Sequence, residues 1–327
     1  MKLSEFLTSI ERTMLLDGAM GTQLAEAGLD MGGKTNITHP DAVLSIHKQY
    51  AECGVDMIIT NTLTMNRINI ELHNMGVDVA EVNSAGVRLA RAAICEGQYV
   101  LGDMGSTGKM LKPHGDLSPD DAYAAFKEQA IILAEGGVDG IIVETMFDLA
   151  EAICCTRACK DAVDLPVIVS ISFSTMKRGG RTIMGNSAQD CAKALVEAGA
   201  CVVGANCGNI DPFQMSEIVS TMGEVVSLPL LAQPNAGIPR FVEGRTVFDM
   251  SPSDFAEGIN RCIERGARLV GRVLRDISGS HQGYCGTNKR IGAHRAGVAK
   301  YNRQNILVKI RGKGQCFFEW IRLWKNQ

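Results

Sequence analysis

One phrase recurs along the first 271 residues and limits the fold more than any other feature of the chain. A helical stretch ends in Gly, a short apolar run follows, and small or polar residues close it. It occurs at Glu52-Cys53-Gly54-Val55-Asp56-Met57-Ile58-Ile59-Thr60 and at Glu135-Gly136-Gly137-Val138-Asp139-Gly140-Ile141-Ile142-Val143-Glu144. It returns at Glu197-Ala198-Gly199-Ala200-Cys201-Val202-Val203-Gly204-Ala205 and at Glu264-Arg265-Gly266-Ala267-Arg268-Leu269-Val270-Gly271. Gly after the last helical turn takes a left-handed conformation that a Cβ resists. An apolar strand without alternation is buried on both faces, as in a parallel sheet covered by helices.

Further strands are predicted at Met14–Leu16, Tyr99–Met104, Val167–Phe173 and Leu230–Gln233, so that eight begin near residues 14, 56, 99, 138, 167, 200, 230 and 268. Amphipathic helices fit between them, for example Asp120–Ala134, Ala188–Glu197 and Ser253–Glu264, each with a Ser or Asp nearby to cap it. Eight alternating units in roughly 270 residues meet the requirement of a closed (β/α)8 TIM barrel of the α/β class. An open doubly wound sheet is the alternative. It is disfavoured because no Gly-x-Gly-x-x-Gly follows the first strand.

Composition adds boundaries. No run of about 18 apolar residues exists, and Met1–Phe6 is too short and polar for a secretory signal. Eleven cysteines in such a chain point to a reducing cytoplasm, with thiols serving as core residues or metal ligands. The formal charge of −3 averages two unlike pieces: Arg272–Gln327 carries +10 and Met1–Gly271 carries −13. The expected organisation is therefore a barrel over 1–271 and a basic, atypical tail over 272–327. The tail also holds both tryptophans, Trp320 and Trp324, but no recognised nucleic-acid motif, so nucleic acid is not the expected partner. No membrane partner is expected.

In a (β/α)8 barrel, chemistry sits where strands end and βα loops begin. Those positions hold Asp17-Gly18-Ala19-Met20-Gly21-Thr22, Thr60-Asn61-Thr62 and Asp103-Met104-Gly105-Ser106-Thr107-Gly108-Lys109. They continue with Glu144-Thr145, Asn206-Cys207-Gly208 and Gln233-Pro234-Asn235-Ala236-Gly237. Taken singly, each Gly or Asn reads as loop geometry, Asp17 as a turn former and Glu144 as a structural carboxylate. Taken together, acids, amides and one thiol on a single rim suit a small ligand bearing an ammonium and a carboxylate. Cys207 is the most informative of them, because a core cysteine would face inward in mid-strand. Cys53, Cys95, Cys191, Cys201 and Cys262 fit that plainer description. Cys155 and Cys159 share a helix face within Leu149–Ala162 and read as helix packing rather than a metal site.

At these residues the chain resembles the homocysteine S-methyltransferase family. The matching stretches are Leu15–Thr22, Gly102–Lys109, Val143-Glu144-Thr145, Gly204–Gly208 and Gln233–Gly237, colinear across residues 1–271. The resemblance implies a (β/α)8 barrel holding zinc through three thiolates, one of them at Cys207. It implies that Asp17 and Glu144 act as catalytic residues that hold the amino group of homocysteine. The backbone of Gly18, Ala19, Met20, Gly21 and Thr22, with the Asn61 and Asn235 loops, would shape the pocket. The implied reaction is zinc-dependent methyl transfer to the homocysteine thiol, giving methionine, with the methyl group supplied by methylcobalamin on a separate corrinoid protein or by another methyl-donor protein. A non-catalytic, zinc-poor barrel that binds a thiol amino acid or a partner is the alternative.

The pattern breaks at one point. The family's other two zinc ligands lie in a Gly-Gly-Cys-Cys-Gly-Thr stretch at the end of strand eight. Here Gly271 is followed by Arg272-Val273-Leu274-Arg275-Asp276-Ile277-Ser278, with no cysteine before Cys285. Written with the permitted codons CGG GTG CTG CGG GAC ATC AGC, that stretch reads Gly-Cys-Cys-Gly-Thr-Ser once its first base is skipped. The sequence is thus compatible with one extra base after Gly271, which would make the tail a frame-shift product. The other readings are a relocated half-site at Cys285-Gly286-Thr287, completed by His281 or His294, and a genuine extension.

Overall fold

The computed structural model describes residues 2–8, 10, 12–237, 240–242, 245–247 and 250–272. Eight parallel strands form one sheet: β1 (Met14–Leu15), β2 (Met57–Ile59), β3 (Tyr99–Met104), β4 (Gly140–Met146), β5 (Val167–Ile171), β6 (Val202–Asn206), β7 (Leu230–Gln233) and β10 (Ala267–Val270). Their order is β1-β10-β7-β6-β5-β4-β3-β2. The ring closes between the outermost pair, where Leu16 bridges Met57 and the Asp17 N–H donates to the Met57 carbonyl at 3.0 Å. The barrel expected from the recurring phrase is therefore the fold. A short antiparallel hairpin, β8 (Arg240–Val242) with β9 (Arg245–Val247), follows β7 and was not anticipated.

The helices are α1 (Leu3–Thr8), α2 (Met20–Glu26), α3 (Thr35–Thr38), α4 (Pro40–Glu52), α5 (Arg67–Leu72), α6 (Val79–Ala93), α7 (Pro119–Glu135), α8 (Leu149–Ala162), α9 (Ala188–Glu197), α10 (Pro212–Gly223) and α11 (Pro252–Glu264). Ser118, Ser187 and Ser251 cap α7, α9 and α11 by accepting the N–H three residues on. Asp211 and Gln214 close a reciprocal capping box on α10.

The glycines of the recurring phrase, Gly54, Gly137, Gly199 and Gly266, all have positive φ, from 79° to 110°. The phrase does a second job that its sequence did not advertise. Asp56 and Asp139 precede β2 and β4, and their carboxylates accept the N–H groups of Leu15 (2.9 Å) and Val100 (2.7 Å) on the neighbouring strands. β2 and β4 themselves begin one and two residues later than the pattern suggests.

Alternation divides the apolar residues between two cores. Leu16, Met57, Leu101, Ile142, Ile168, Val202, Leu231 and Leu269 fill the barrel, and Leu3 and Leu7 of α1 pack against the same cluster. Their neighbours Leu15, Ile58, Val100, Ile141, Val167, Val203, Leu230 and Val270 pack outward against the helices. Among the described residues no helix is long and apolar enough to cross a membrane.

Candidate active site at the C-terminal rim of the barrel

The rim follows from the same period of two. If Leu101, Ile142, Ile168 and Leu231 face the interior, then Asp103, Glu144, Ser170 and Gln233, two residues further on, face it too. On β6 the series is Val202, Gly204, Asn206, and Gly204 is forced, because a Cβ there would lie 2.1 Å from the Leu231 carbonyl oxygen. A polar layer thus sits directly above an apolar one. Asp17 joins it from just beyond β1, where its carboxylate accepts the Ile59 N–H at 3.0 Å.

Asp17, Asp103 and Glu144 are buried, at 4%, 5% and 7% exposure. Burial pushes all three carboxyls up, Asp17 and Asp103 well above the ordinary range and Glu144 to about 7. Proximity adds to this, since a charge on Glu144 raises both aspartates. The Gln233 side chain hydrogen-bonds Glu144 and works against its rise. Three carboxylates this close and dry cannot all be ionised without a cation. Among the described residues, four acceptor atoms in or next to the layer meet no donor: Glu144 Oε2, Asp103 Oδ1, Gln233 Oε1 and, in the loop after β7, Asn235 Oδ1. An ammonium group, with three N–H donors and a positive charge, answers both deficits.

The strand ends carrying Thr145 and Cys207 are conformationally unusual. Their φ angles are 59° and 52°, left-handed values that side-chain-bearing residues avoid, Thr most of all. Each costs on the order of 1–3 kcal/mol and persists only where its surroundings over-determine it. They do so here. Asn206 Oδ1 accepts the Thr145 N–H at 3.0 Å, and Asn206 Nδ2 donates to the Thr145 hydroxyl at 2.7 Å. The Cys207 N–H donates to the Gln233 carbonyl at 3.1 Å. Gly208 follows with φ 72°, where a Cβ would lie 2.2 Å from the Phe173 carbonyl oxygen. Asn235 Nδ2 donates to the Gly208 carbonyl at 2.9 Å. Cys207, half-buried, therefore stands on a strand end tied to β7, whose Gln233 touches Glu144.

The other expected residues take more structural places. Gly18 lies against Tyr50 of α4, and a Cβ there would meet the Tyr50 hydroxyl at 2.7 Å. Ala19 is the N-cap of α2, which carries Met20, Gly21 and the buried Thr22. Asn61 holds the loop before α3: its Nδ2 is within reach of Gly32 O, Thr35 Oγ1 and Asn36 Oδ1, at 3.0–3.1 Å. Its amide nitrogen is thereby committed to the protein. Cys155 and Cys159 pack within α8, with Cys159 Sγ 3.6 Å from Met104 Sδ.

Sequence reading named Asp103, Gln233 and Asn206 as rim positions but did not select them as site residues, and it missed Ser170. Counting two residues on from each inward-facing apolar residue would have found Asp103, Ser170 and Gln233. Tyr50 carried no signal, because it reaches the rim from a helix. Arg272, the first residue after the pattern breaks, is buried at 7% exposure with its guanidinium beside the Tyr50 hydroxyl.

The described residues do not supply the zinc site that the resemblance implies. Among the described residues no three His, Cys, Asp or Glu side chains are grouped so as to hold a metal ion. Cys207 is the one cysteine at a C-terminal strand end there, the others lying on helices, just after them or before β6. Val273 and Leu274, Cys285, His281, His294 and the rest of the tail lie outside the described residues.

A (β/α)8 barrel with its acids, amides and a thiol at the C-terminal mouth has the layout of an enzyme that acts on a small polar substrate. The chain belongs to the homocysteine S-methyltransferase family, which it matches over residues 14–272. It is 30% identical over 317 residues to a methionine synthase of Mycobacterium leprae (strain TN) and 29% identical over 319 residues to one of Mycobacterium tuberculosis (strain ATCC 25618 / H37Rv). Each alignment covers 90% of this chain but 25% of the relative, so the chain spans about a quarter of their length. The metallated homocysteine methyltransferase MmuM of Escherichia coli shares the fold, with a TM-score of 0.67 at 19% identity, over 84% of this chain and 96% of that one. The family match ends at Arg272, whereas the alignments to the mycobacterial proteins run past it.

Proposed function

We propose that the rim of this barrel binds L-homocysteine as a methyl acceptor and that transfer to its sulfur, giving methionine, is slow in this chain. The observation that carries the reading is the set of four orphaned acceptor oxygens contributed by β3, β4, β7 and the loop after β7, beside Asp17. They provide for an ammonium. Asp17, Asp103 and Glu144 would hold and orient it, and backbone at Gly18, Ala19, Met20, Gly21 and Thr22 would wall the pocket. The Asn61 and Asn235 loops support the pocket by fixing its neighbours.

The sulfur end is where the described residues fall short. A thiol of ordinary pKa near 8.5 is mostly protonated at neutral pH, so an efficient acceptor needs something that favours the thiolate. Zinc held by three thiolates would supply that, and the described residues offer Cys207 alone. No step through the metal is therefore assigned to this chain. The barrel over 1–271 is proposed as the binding unit, and 272–327 as a separate piece.

A surface feature supports a protein partner that brings the methyl group. Among the described residues six large apolar side chains are well exposed. Met31, Leu72, Met110, Phe147 and Ile183 lie in the connections that leave β1, β2, β3, β4 and β5 at the mouth, and Ile131 of α7 is the sixth. Exposed apolar side chains on five separate connections around a polar mouth would suit a docked corrinoid protein or another methyl-donor protein.

Calorimetry with L-homocysteine and an assay of methionine formation from a methyl donor, each with and without added zinc, test the reading. Binding with slow turnover that zinc does not restore is the expected outcome. Absence of binding, or zinc-stimulated turnover at an ordinary enzymatic rate, contradicts it.

A further inference from the structure

Asp103 and Glu144 stand on adjacent strands, and both face the barrel interior above the Leu101–Ile142 layer. Each keeps one oxygen that no donor among the described residues reaches, Asp103 Oδ1 and Glu144 Oε2. The backbone beneath Asp103 is fixed, with its N–H donated to the Thr60 hydroxyl at 2.9 Å and its carbonyl accepting the Thr62 hydroxyl at 2.8 Å. Its Cα is thereby held beside β4.

We propose that Asp103 and Glu144 share one proton before ligand enters, and that an incoming ammonium displaces it, so that each binding event releases a proton to solvent. The exchange balances: the ammonium brings one positive charge and the carboxyl gives one up as H⁺, leaving two carboxylates around the ligand cation. The inference rests on the reading that an amino acid binds by its ammonium, and it makes Asp103 a specificity-determining residue of that pocket.

The other charged and titratable groups at the site are few. Asp17, from the end of β1, is itself pushed well up by burial, and any charge it carries favours retention of the proton. Tyr50, from α4, is pushed up by burial and stays neutral near pH 7. Arg272, after β10, lies beside Tyr50. Gln233, from β7, hydrogen-bonds Glu144 but does not titrate. Glu144 titrates near 7 and Asp103 is raised well above the ordinary carboxylate range, so the pair holds its proton under the conditions in which ligand would bind.

The test is calorimetric titration of the full chain with L-homocysteine and with L-methionine, whose sulfur carries no proton, at pH 6, 7 and 8 in two buffers of different ionisation enthalpy. The expected result is a binding heat that depends on the buffer for both ligands. Affinity should also rise by up to tenfold per pH unit below about 7 and level off above it. In the double variant Asp103→Asn, Glu144→Gln, which leaves the pair no carboxyl, the proton count should fall towards zero and the pH dependence should flatten. Binding with buffer-independent heat in the wild-type chain overturns the shared proton and leaves the amino-acid reading intact. Failure of both ligands to bind at any pH overturns the reading itself and the inference with it.

Discussion

Asn206, at the end of β6, reaches across β5 and grips Thr145 twice, accepting its N–H at 3.0 Å and donating to its hydroxyl at 2.7 Å. One buried carboxamide thus holds a β-branched residue at φ 59° next to Glu144 and also takes a hydrogen bond from the Ser170 hydroxyl at 2.8 Å. Asn206→Ala should destabilise the protein by about 1–3 kcal/mol, because buried donors and acceptors lose their partner. It should also weaken amino-acid binding at least tenfold by freeing the Glu144 strand end. Urea unfolding and calorimetry measure the two effects. A variant with unchanged affinity would show that the Thr145 conformation is irrelevant to the site.

Cys207 gives a prediction of opposite sign. At φ 52° the residue strains the backbone, and Gly would relieve that strain. Cys207→Gly should be more stable than Cys207→Ala by about 1 kcal/mol, because Ala keeps the Cβ that resists the left-handed conformation. Thermal or urea unfolding of the pair decides this. Equal stability would mean that the strand end relaxes once the sulfur is gone.

Glu144 predicts a pH dependence. Its carboxyl titrates near 7 in the folded chain against 4.5 for a glutamate free in water, so the folded state holds the proton more tightly. The resulting stabilisation is fully present below about 4.5 and is lost as pH rises through about 7, on the order of 3 kcal/mol in all. Glu144→Gln, permanently neutral, should therefore gain on the wild type as pH rises from 5 to 8, the difference growing through that window. A difference that is flat or shrinks with rising pH contradicts the burial assigned to this carboxyl.

His47 of α4 works in the other direction. It is fully buried, neither ring nitrogen has a partner among the described residues, and burial lowers its pKa to about 3. Stability is then lost as pH falls from about 6.5 towards 3, because the unfolded chain takes up a proton that the folded one refuses. His47→Leu should remove that loss, gaining on the order of 2 kcal/mol on the wild type at pH 5. Its neutral-pH stability should change little, since an apolar group of similar size replaces an unsatisfied ring. Parallel acid losses in the two proteins would place a charged histidine at this position.

The barrel was legible in the sequence because its signal is periodic and local. Gly54, Gly137, Gly199 and Gly266 end helices by a rule that needs no knowledge of tertiary structure, and the apolar runs after them admit burial on both faces. The hairpin of β8 and β9 was not legible, because no helix precedes Arg240–Val242 or Arg245–Val247 and charged and polar residues break up any apolar run there. At the site, Asp17, Glu144 and Cys207 were found as polar residues at strand ends, whereas Asp103 and Gln233 were passed over as site residues. Their importance lies in facing Glu144 across the interior, a relation between strands that a single strand does not carry. Tyr50 and Arg272 are less legible still, since both reach the rim through packing.

The break after Gly271 decides how far the chain departs from its family, and the nucleotide sequence across codons 265–290 bears on its origin. Its consequence is measured more directly by the zinc bound after purification. Two forms should be compared: the chain as it stands, and a version carrying Gly-Cys-Cys-Gly-Thr in place of Arg272-Val273-Leu274-Arg275-Asp276. The account predicts far less than about one zinc per chain in the first and close to one in the second, because affinity depends on the number of thiolates held in place. Close to one equivalent in the unaltered chain would contradict it.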